Sequence, residues 1–251
     1  MRGERMRGGS IIVCGEYPNN ITINGHSSSS SSNDFDVIIF TQLWPQTVCL
    51  YSRQTTNSSY CNLPEEEKWT IHGIWPSQYH KFTPADCNPS LSFDPSLLEN
   101  IKEELNTKWI FVDNKTHPEL FWKHEWDKHG TCSTDIDCVS TQQKYFEKGL
   151  DLFNNENYNA KNILKKAKIL SGRQYHVKTI LKKVNRILGA RIYVDCVKNK
   201  ETNEQYFHEI RICFDKSFNL TDCDGIKNFP TNCDRLKNVI YPKTNPDYNV
   251  L

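Results

Sequence analysis

Residues 175–214 read YHVKTILKKVNRILGARIYVDCVKNKETNEQYFHEIRICF, and within this stretch the hydrophobic period changes from that of a helix to that of a strand. Val177, Ile180, Leu181, Val184 and Leu188 recur at three- and four-residue steps, which predicts a helix over residues 175–188 that stops at Gly189. Past Gly189 the period is two. ARIYVDCV and YFHEIRICF flank the polar loop KNKETNEQ, the pattern of a hairpin. A helix feeding an antiparallel pair must bury its apolar stripe on a sheet, so this segment points to helices packed on strands.

The chain upstream agrees. Thr141 opens a helix to residue 153 with Tyr145, Phe146, Leu150 and Phe153 on one side, and Pro118 opens another that runs toward Lys128. Asp94 and Pro95 supply an N-cap and a first turn for a helix carrying Leu97, Leu98, Ile101 and Leu105. DFDVIIFTQLW (residues 34–44) is apolar and β-branched and reads as a buried strand stopped by Pro45; residues 69–75 read as a second strand closed by Pro76. With helices mid-chain and strands at both ends, the expected class is α+β: a single domain with a central antiparallel sheet, helices packed against it, and disulfide staples. Residues 1–33 are polar and end in the six-serine run at 27–32, which reads as a flexible lead-in to a domain over 34–251.

Composition bounds the function. The 251 residues are 37% hydrophobic, enough to bury a core, with 31 Lys and Arg against 30 Asp and Glu, so no global field recruits polyanions and nucleic-acid contact must be local. No stretch is apolar for the length of a membrane span, and no membrane partner is expected. Ten cysteines, Cys14, Cys49, Cys61, Cys87, Cys132, Cys138, Cys196, Cys213, Cys223 and Cys233, form an even set without a repeated CxxC pair, which favours disulfides over zinc. Sequons at Asn20, Asn57, Asn114 and Asn219 point the same way, toward glycosylation and a secreted, vacuolar or lysosomal protein. MRGERMRGGS is basic, but only Ile11–Val13 follow as an apolar run, so no export signal is legible here.

Two segments are richer in reactive side chains than a core requires: WTIHGIWPS (residues 69–77) and FWKHEWDKHGTC (residues 121–132). On a helix at about 100° per residue, Phe121, His124, Glu125, Lys128 and His129 share one face, while Trp122 and Trp126 fall beyond it and can anchor the helix to the core. Alone, that face also admits the minority reading of a solvated charged surface, and His72 alone reads as a core histidine. Three histidines with a carboxylate and an amine change the balance. Zinc is the natural rival, yet His124 and His129 are five apart rather than four, and a cationic Lys128 between them repels a divalent ion. No cofactor is expected. What the set can do is move protons on both sides of a phosphorus: one imidazole takes the proton of an RNA 2′-hydroxyl, another protonates the departing 5′-oxygen, and Lys128 with a protonated His124 offsets the charge between.

At these residues the chain resembles the ribonuclease T2 family, which includes the plant S-ribonucleases and S-like ribonucleases. WTIHGIWPS is similar to the family's first active-site segment, with Ile74 in place of its usual Leu, and FWKHEWDKHGTC to the second. The likeness extends to FTQLWPQTVC and to the late cysteines, roughly residues 35–233. It implies an α+β fold and a metal-independent endoribonuclease that makes 2′,3′-cyclic phosphates and then 3′-phosphates. It also implies His72 as general acid, His129 as general base, His124 holding the phosphate, and Glu125 with Lys128 stabilising the transition state; spacing alone does not choose acid from base. Single-stranded RNA would be the partner and DNA would not, the chain acting as a monomer. Trp75 and Phe121 are candidates to stack bases, since stacking is worth about 1–3 kcal/mol per base, while Trp44, Trp109, Trp122 and Trp126 are assigned to the core. Gln42 is a candidate for a second base. Ser77 stands where some members carry an Asp that can accept from an exocyclic amine, so adenine preference is not expected. The resemblance further implies pairs Cys49–Cys61, Cys87–Cys132, Cys196–Cys233 and Cys213–Cys223, which leaves Cys14 and Cys138 to pair by elimination. Two other classes remain, a partner-binding glycoprotein that keeps the fold and a zinc hydrolase; a lost catalytic group would mark the first, and chelation would silence the second.

Overall fold

Val37–Leu43 forms the first strand, β1, and every one of its seven residues is buried, the mark of a strand covered on both faces. In this computed structural model, which describes residues 14, 34–56, 60–81, 83–113 and 116–244, β1 lies between the edge strand β2 (Thr70–Ser77) and the long β5 (Gln205–Phe214). The hairpin partner of β5 is β4 (Tyr193–Lys198), paired from Tyr193↔Arg211 to Lys198↔Gln205. β5 is the hub. One of its edges takes β4 and the short β6 (Leu220–Thr221), and the other takes β1 and β7 (Asn238–Tyr241), which continues to β3 (Arg173–His176). All pairs are antiparallel except β5 with β7, so the sheet is mixed at that one contact.

Six helices accompany the sheet among the described residues: α1 (Pro45–Thr56), α2 (Lys102–Lys108), α3 (Glu119–Lys128), α4 (Gln142–Asn154), α5 (Ala160–Lys166) and α6 (Val177–Leu188). The Thr141 hydroxyl caps α4 by accepting from the Lys144 N–H, and Gly189 ends α6 at φ 79°, a left-handed value that an L side chain rarely adopts. The main core gathers Trp44, Trp69, Trp109, Trp122, Trp126, Tyr145 and Phe146 with the inward residues of α4–α6, so the four tryptophans assigned to packing are buried. Disulfides join Cys14–Cys138, Cys49–Cys61, Cys87–Cys132, Cys196–Cys233 and Cys213–Cys223.

Several boundaries differ from the sequence reading. Pro76 does not close β2 but pairs opposite Ile38, tolerated because β2 is an edge strand whose outer side needs no N–H. Pro45 stops β1 and also starts α1, a helix that polar buried residues (Gln46, Thr47, Ser52) hid from any apolar period. The segment after Asp94 splits into a 3₁₀ turn, Pro95–Leu98, and α2, leaving Leu97 exposed. Tyr175 and His176 belong to β3, because β7 offers them strand partners, and α6 begins only at Val177. The lead-in, apart from Cys14, lies outside the described residues, as do Asn20, Asn57 and Asn114. No helix among the described residues is long and apolar enough to cross a membrane.

Candidate active site

The register of β1 with β2 slips by one between Thr41↔Gly73 and Gln42↔Ile71, leaving His72 as an extra residue in a β-bulge. A bulge re-aims side chains. Here it puts His72 and Trp75, three apart, into the same opening while Ile71 and Ile74 stay in the core. Tyr145 of α4 holds this stretch by donating its hydroxyl to the Ile74 carbonyl at 2.9 Å, and Trp109 Nε1 donates to the His72 carbonyl at 2.8 Å. Trp122 of α3 in turn donates to the Trp109 carbonyl at 2.9 Å. Core indoles thus fix the bulge to the helix opposite. Gly73 is the point of closest approach, since a Cβ there would sit 2.0 Å from Glu125 Oε2 and 2.5 Å from Trp75 Nε1.

Between bulge and helix lies a cavity of about 300 Å³, lined by His72, Trp75, His124, Glu125, Lys128 and His129, with Arg211 and Ser77 on its walls. The loop before it is pinned to the end of α3 by the Cys87–Cys132 bond and by the Asp86 N–H donating to the Lys128 carbonyl at 3.0 Å. All five reactive groups of the sequence reading therefore meet at one place. Phe121 stands behind them, its ring 5.7 Å from His72 and stacked on Phe111 at 5.5 Å. Trp75 is half-buried and its ring lies 4.8 Å from that of His72 and 5.3 Å from that of His129.

Gln42 is a correction. It is fully buried, its Nε2 donating to the Tyr158 carbonyl at 2.8 Å and its Oε1 accepting from the Ala160 N–H at 2.8 Å, so it braces the start of α5 and cannot reach a base.

The two outer histidines sit in opposite electrostatic settings. His72 Nδ1 lies 2.6 Å from Glu209 Oε1, which makes Nδ1 the donor and leaves Nε2 facing the cavity, 3.8 Å from Glu125 Oε1. Burial pulls the His72 pKa down, but the Glu209 carboxylate and its hydrogen bond outweigh this and hold it above the usual 6.5. His129, capping α3, is buried with its Nδ1 unpartnered among the described residues; burial, then Lys128 and the other histidines, push it well below the usual value, so it is neutral. His124 is also lowered, by burial and by Lys128. Burial raises Glu125 to about 7, although Trp75 Nε1 donates to it at 2.8 Å.

Glu209 and Arg211 stand at this site and carry no motif that points to them. Arg211 donates to Glu209 Oε2 from two nitrogens, at 2.7 and 3.0 Å, and lies over the rings of Trp75 and Tyr193. Burial opposes ionisation of Glu209, but Arg211 and His72 keep its carboxyl far below the ordinary carboxylate range. A signal was present in HEIRIC: two opposite charges two apart point to the same face of a strand that is otherwise apolar. Among the described residues the one His, Cys, Asp and Glu grouping with metal-ligand proximity is Asp195, His208 and Glu209, which does not include the three cavity histidines. Its members are engaged already, His208 with Asp195 at 2.9 Å and Glu209 with His72 and Arg211.

Residues 35–223 match the model of the ribonuclease T2 family, and the chain belongs to that family. It is an endoribonuclease of the ribonuclease T2 type. Ribonuclease Oy of Magallana gigas is 35% identical over 214 residues, covering 83% of this chain and 97% of that protein. Among solved structures, RNase MC1 from the seeds of bitter gourd superimposes with a TM-score of 0.69 at 30% identity over 82% of this chain and all of that one. Human RNase T2 does so with 0.66 at 27% over 83% of this chain and 98% of that one.

Proposed function

We propose that the protein cleaves single-stranded RNA without metal by transesterification, with His129 as general base and His72 as general acid. The opposite settings of the two imidazoles on one cavity carry this assignment. His129 takes the 2′-hydroxyl proton, the 2′-oxygen bonds to phosphorus, and the bond from phosphorus to the 5′-oxygen breaks as His72 Nε2 delivers its proton to the leaving oxygen. The products are a 2′,3′-cyclic phosphate and a 5′-hydroxyl. In the second stage the roles reverse: His72 takes a proton from water as its oxygen bonds to phosphorus, the bond from phosphorus to the 2′-oxygen breaks as His129 returns a proton to that oxygen, and a 3′-phosphate results. Lys128 offsets the charge on the phosphoryl oxygens, His124 holds the phosphate by a hydrogen bond, and Glu125, protonated below about pH 7, donates a hydrogen bond to it instead of repelling it. Glu209 touches no substrate; it acts through His72 as a positioning residue.

Trp75 and Phe121 supply aromatic surface for bases next to the cleaved bond, and DNA, lacking the 2′-hydroxyl, is not a substrate. Base reading is not adenine-directed, since Ser77 on the cavity wall carries no charge and is 3.2 Å from the Thr83 hydroxyl. Five disulfides support residence in an oxidising compartment, secreted or vacuolar and lysosomal, with the exposed Asn219 as a glycan acceptor. The test is digestion of RNA with and without chelator, with analysis of product ends. Cyclic phosphate ends in both conditions, and a loss of about 10²–10⁴-fold in His72→Ala and in His129→Ala, are expected; a folded His72→Ala enzyme with full activity overturns the assignment.

A further inference from the structure

Between Asn157 and Val194 the chain has ten Lys and Arg and not one Asp or Glu. Of the 31 cations in the whole sequence the remainder keeps 21, against all 30 carboxylates, so a molecule of net charge +1 consists of one basic segment and a body of net −9. That segment folds into α5, β3 and α6. Ile163 and Leu164 of α5 and Val177, Ile180 and Val184 of α6 point into the core, and the two helices pack against each other. Their outer sides carry Lys161, Lys165, Lys166, Lys178, Lys182, Lys183 and Arg186, with Lys168 on the turn after α5 and Arg173 at the start of β3, all exposed. Among the described residues none of these nine makes an ion pair or a side-chain hydrogen bond; the tenth, Arg191, is bound to Asp222 and Asp224. At the border of the face Glu67 is held by Ser171 and Lys243.

Such an arrangement costs the fold stability. Lys161 with Lys165, Lys178 with Lys182, and Lys182 with Arg186 are like charges one helical turn apart, which destabilise a helix. A polyanion laid across them adds attractions that offset that repulsion. We infer that the outer face of α5 and α6 is a second RNA-binding surface, which holds the phosphate backbone of a long or structured RNA while the cavity cuts a single-stranded part of it. This deepens, and rests on, the ribonuclease reading. Large aromatics are missing from the exposed residues of the face, so it contacts phosphates without stacking bases and suits helical RNA. Ile210 and Ile212 of β5 lie in the core that α5 and α6 cover, whereas Arg211, alternating with them, lines the cavity. Face and cavity thus lie on opposite sides of the sheet. Only an RNA long enough to pass around its edge reaches both.

The test uses the full chain with Lys178→Gln, Lys182→Gln, Lys183→Gln and Arg186→Gln combined, none of which belongs to the cavity. A control of equal charge change combines Lys102→Gln, Lys144→Gln, Lys200→Gln and Arg235→Gln. Binding of a 2′-O-methyl stem–loop RNA, which cannot be cleaved, is measured against salt, together with cleavage of a dinucleotide. The face variant is expected to bind the stem–loop about tenfold more weakly at low salt, with the slope of log K against log salt reduced by about 3. The control should change less than twofold, and dinucleotide cleavage should match wild type in both. Equal stem–loop binding by wild type and face variant, or equal weakening in the control, overturns the proposal. So does loss of binding to phosphatidylserine vesicles in the face variant with RNA binding intact, which assigns the face to membranes. Dinucleotide cleavage absent from every form would count against the catalytic reading and not against the face, which the stem–loop reads on its own.

Discussion

Glu209→Gln removes a charge from the His72 contact while keeping its shape and its acceptor oxygen. The imidazolium and the carboxylate touch through Nδ1 and Oε1 at 2.6 Å. With charge centres about 4 Å apart and an effective dielectric near 20, their attraction is about 4 kcal/mol. Burial of the pair and the nearby Arg211 guanidinium oppose it, and what remains holds the His72 pKa above its usual value. In the variant Arg211 loses its counter-charge and still repels a protonated His72, so the His72 pKa drops from above 6.5 to below it. The direction of the activity change follows from the role. An acid must hold its proton, so the limb of kcat/KM that falls with rising pH moves to lower pH. At pH 7 the variant loses activity, by at most the roughly thousandfold that 4 kcal/mol represents, and at pH 5 much less. The assay is kcat/KM for a dinucleotide between pH 4 and 9, with Glu209→Asp as a partial rescue. An unmoved basic limb in a folded Glu209→Gln protein refutes the idea that this carboxylate sets the proton affinity of His72.

Three other outcomes are expected. Glu125→Gln keeps an acceptor for Trp75 but no longer has to bury a charge; because the Glu125 pKa is raised to about 7, folding is disfavoured as pH rises through 4.5 to 7, and the variant should be more stable at pH 8 by about 2–3 kcal/mol with no gain at pH 4, read by denaturant unfolding. Gly73→Ala drives a methyl group into Glu125 Oε2 and Trp75 and should cost activity about a hundredfold or more with the core retained; a fully active alanine variant would show that bulge and helix are not held this close. Wild-type activity should peak on the acid side of neutrality, where His72 is charged and His129 neutral, and a rate that climbs steadily to pH 9 contradicts this.

Much of the protein is present in its linear pattern. Amphipathic periods located α4 and α6 because a helix buried on one side repeats every 3.6 residues whatever it packs against, and Pro118 marked the start of α3. The β4–β5 hairpin was legible for the same kind of reason, an alternation broken by a polar loop. One helix face predicted that His124, Glu125, Lys128 and His129 act together, since a single turn of backbone fixes their relation. His72 was grouped with them by the scarcity of histidine and by the resemblance of its segment, without a geometry that brings it there. Its placement depends on a bulge, a property of the register between two strands and of neither strand alone. β3 and β7 escaped for a related reason: short strands of mixed exposure become strands when a partner is offered. The buried Glu209–Arg211 pair and the bracing role of Gln42 were likewise decided in three dimensions. A polar side chain reads as exposed in a sequence, and only the groups brought to it from distant segments, Tyr158 and Ala160 for Gln42 and His72 for Glu209, allow it to be buried and give it a task.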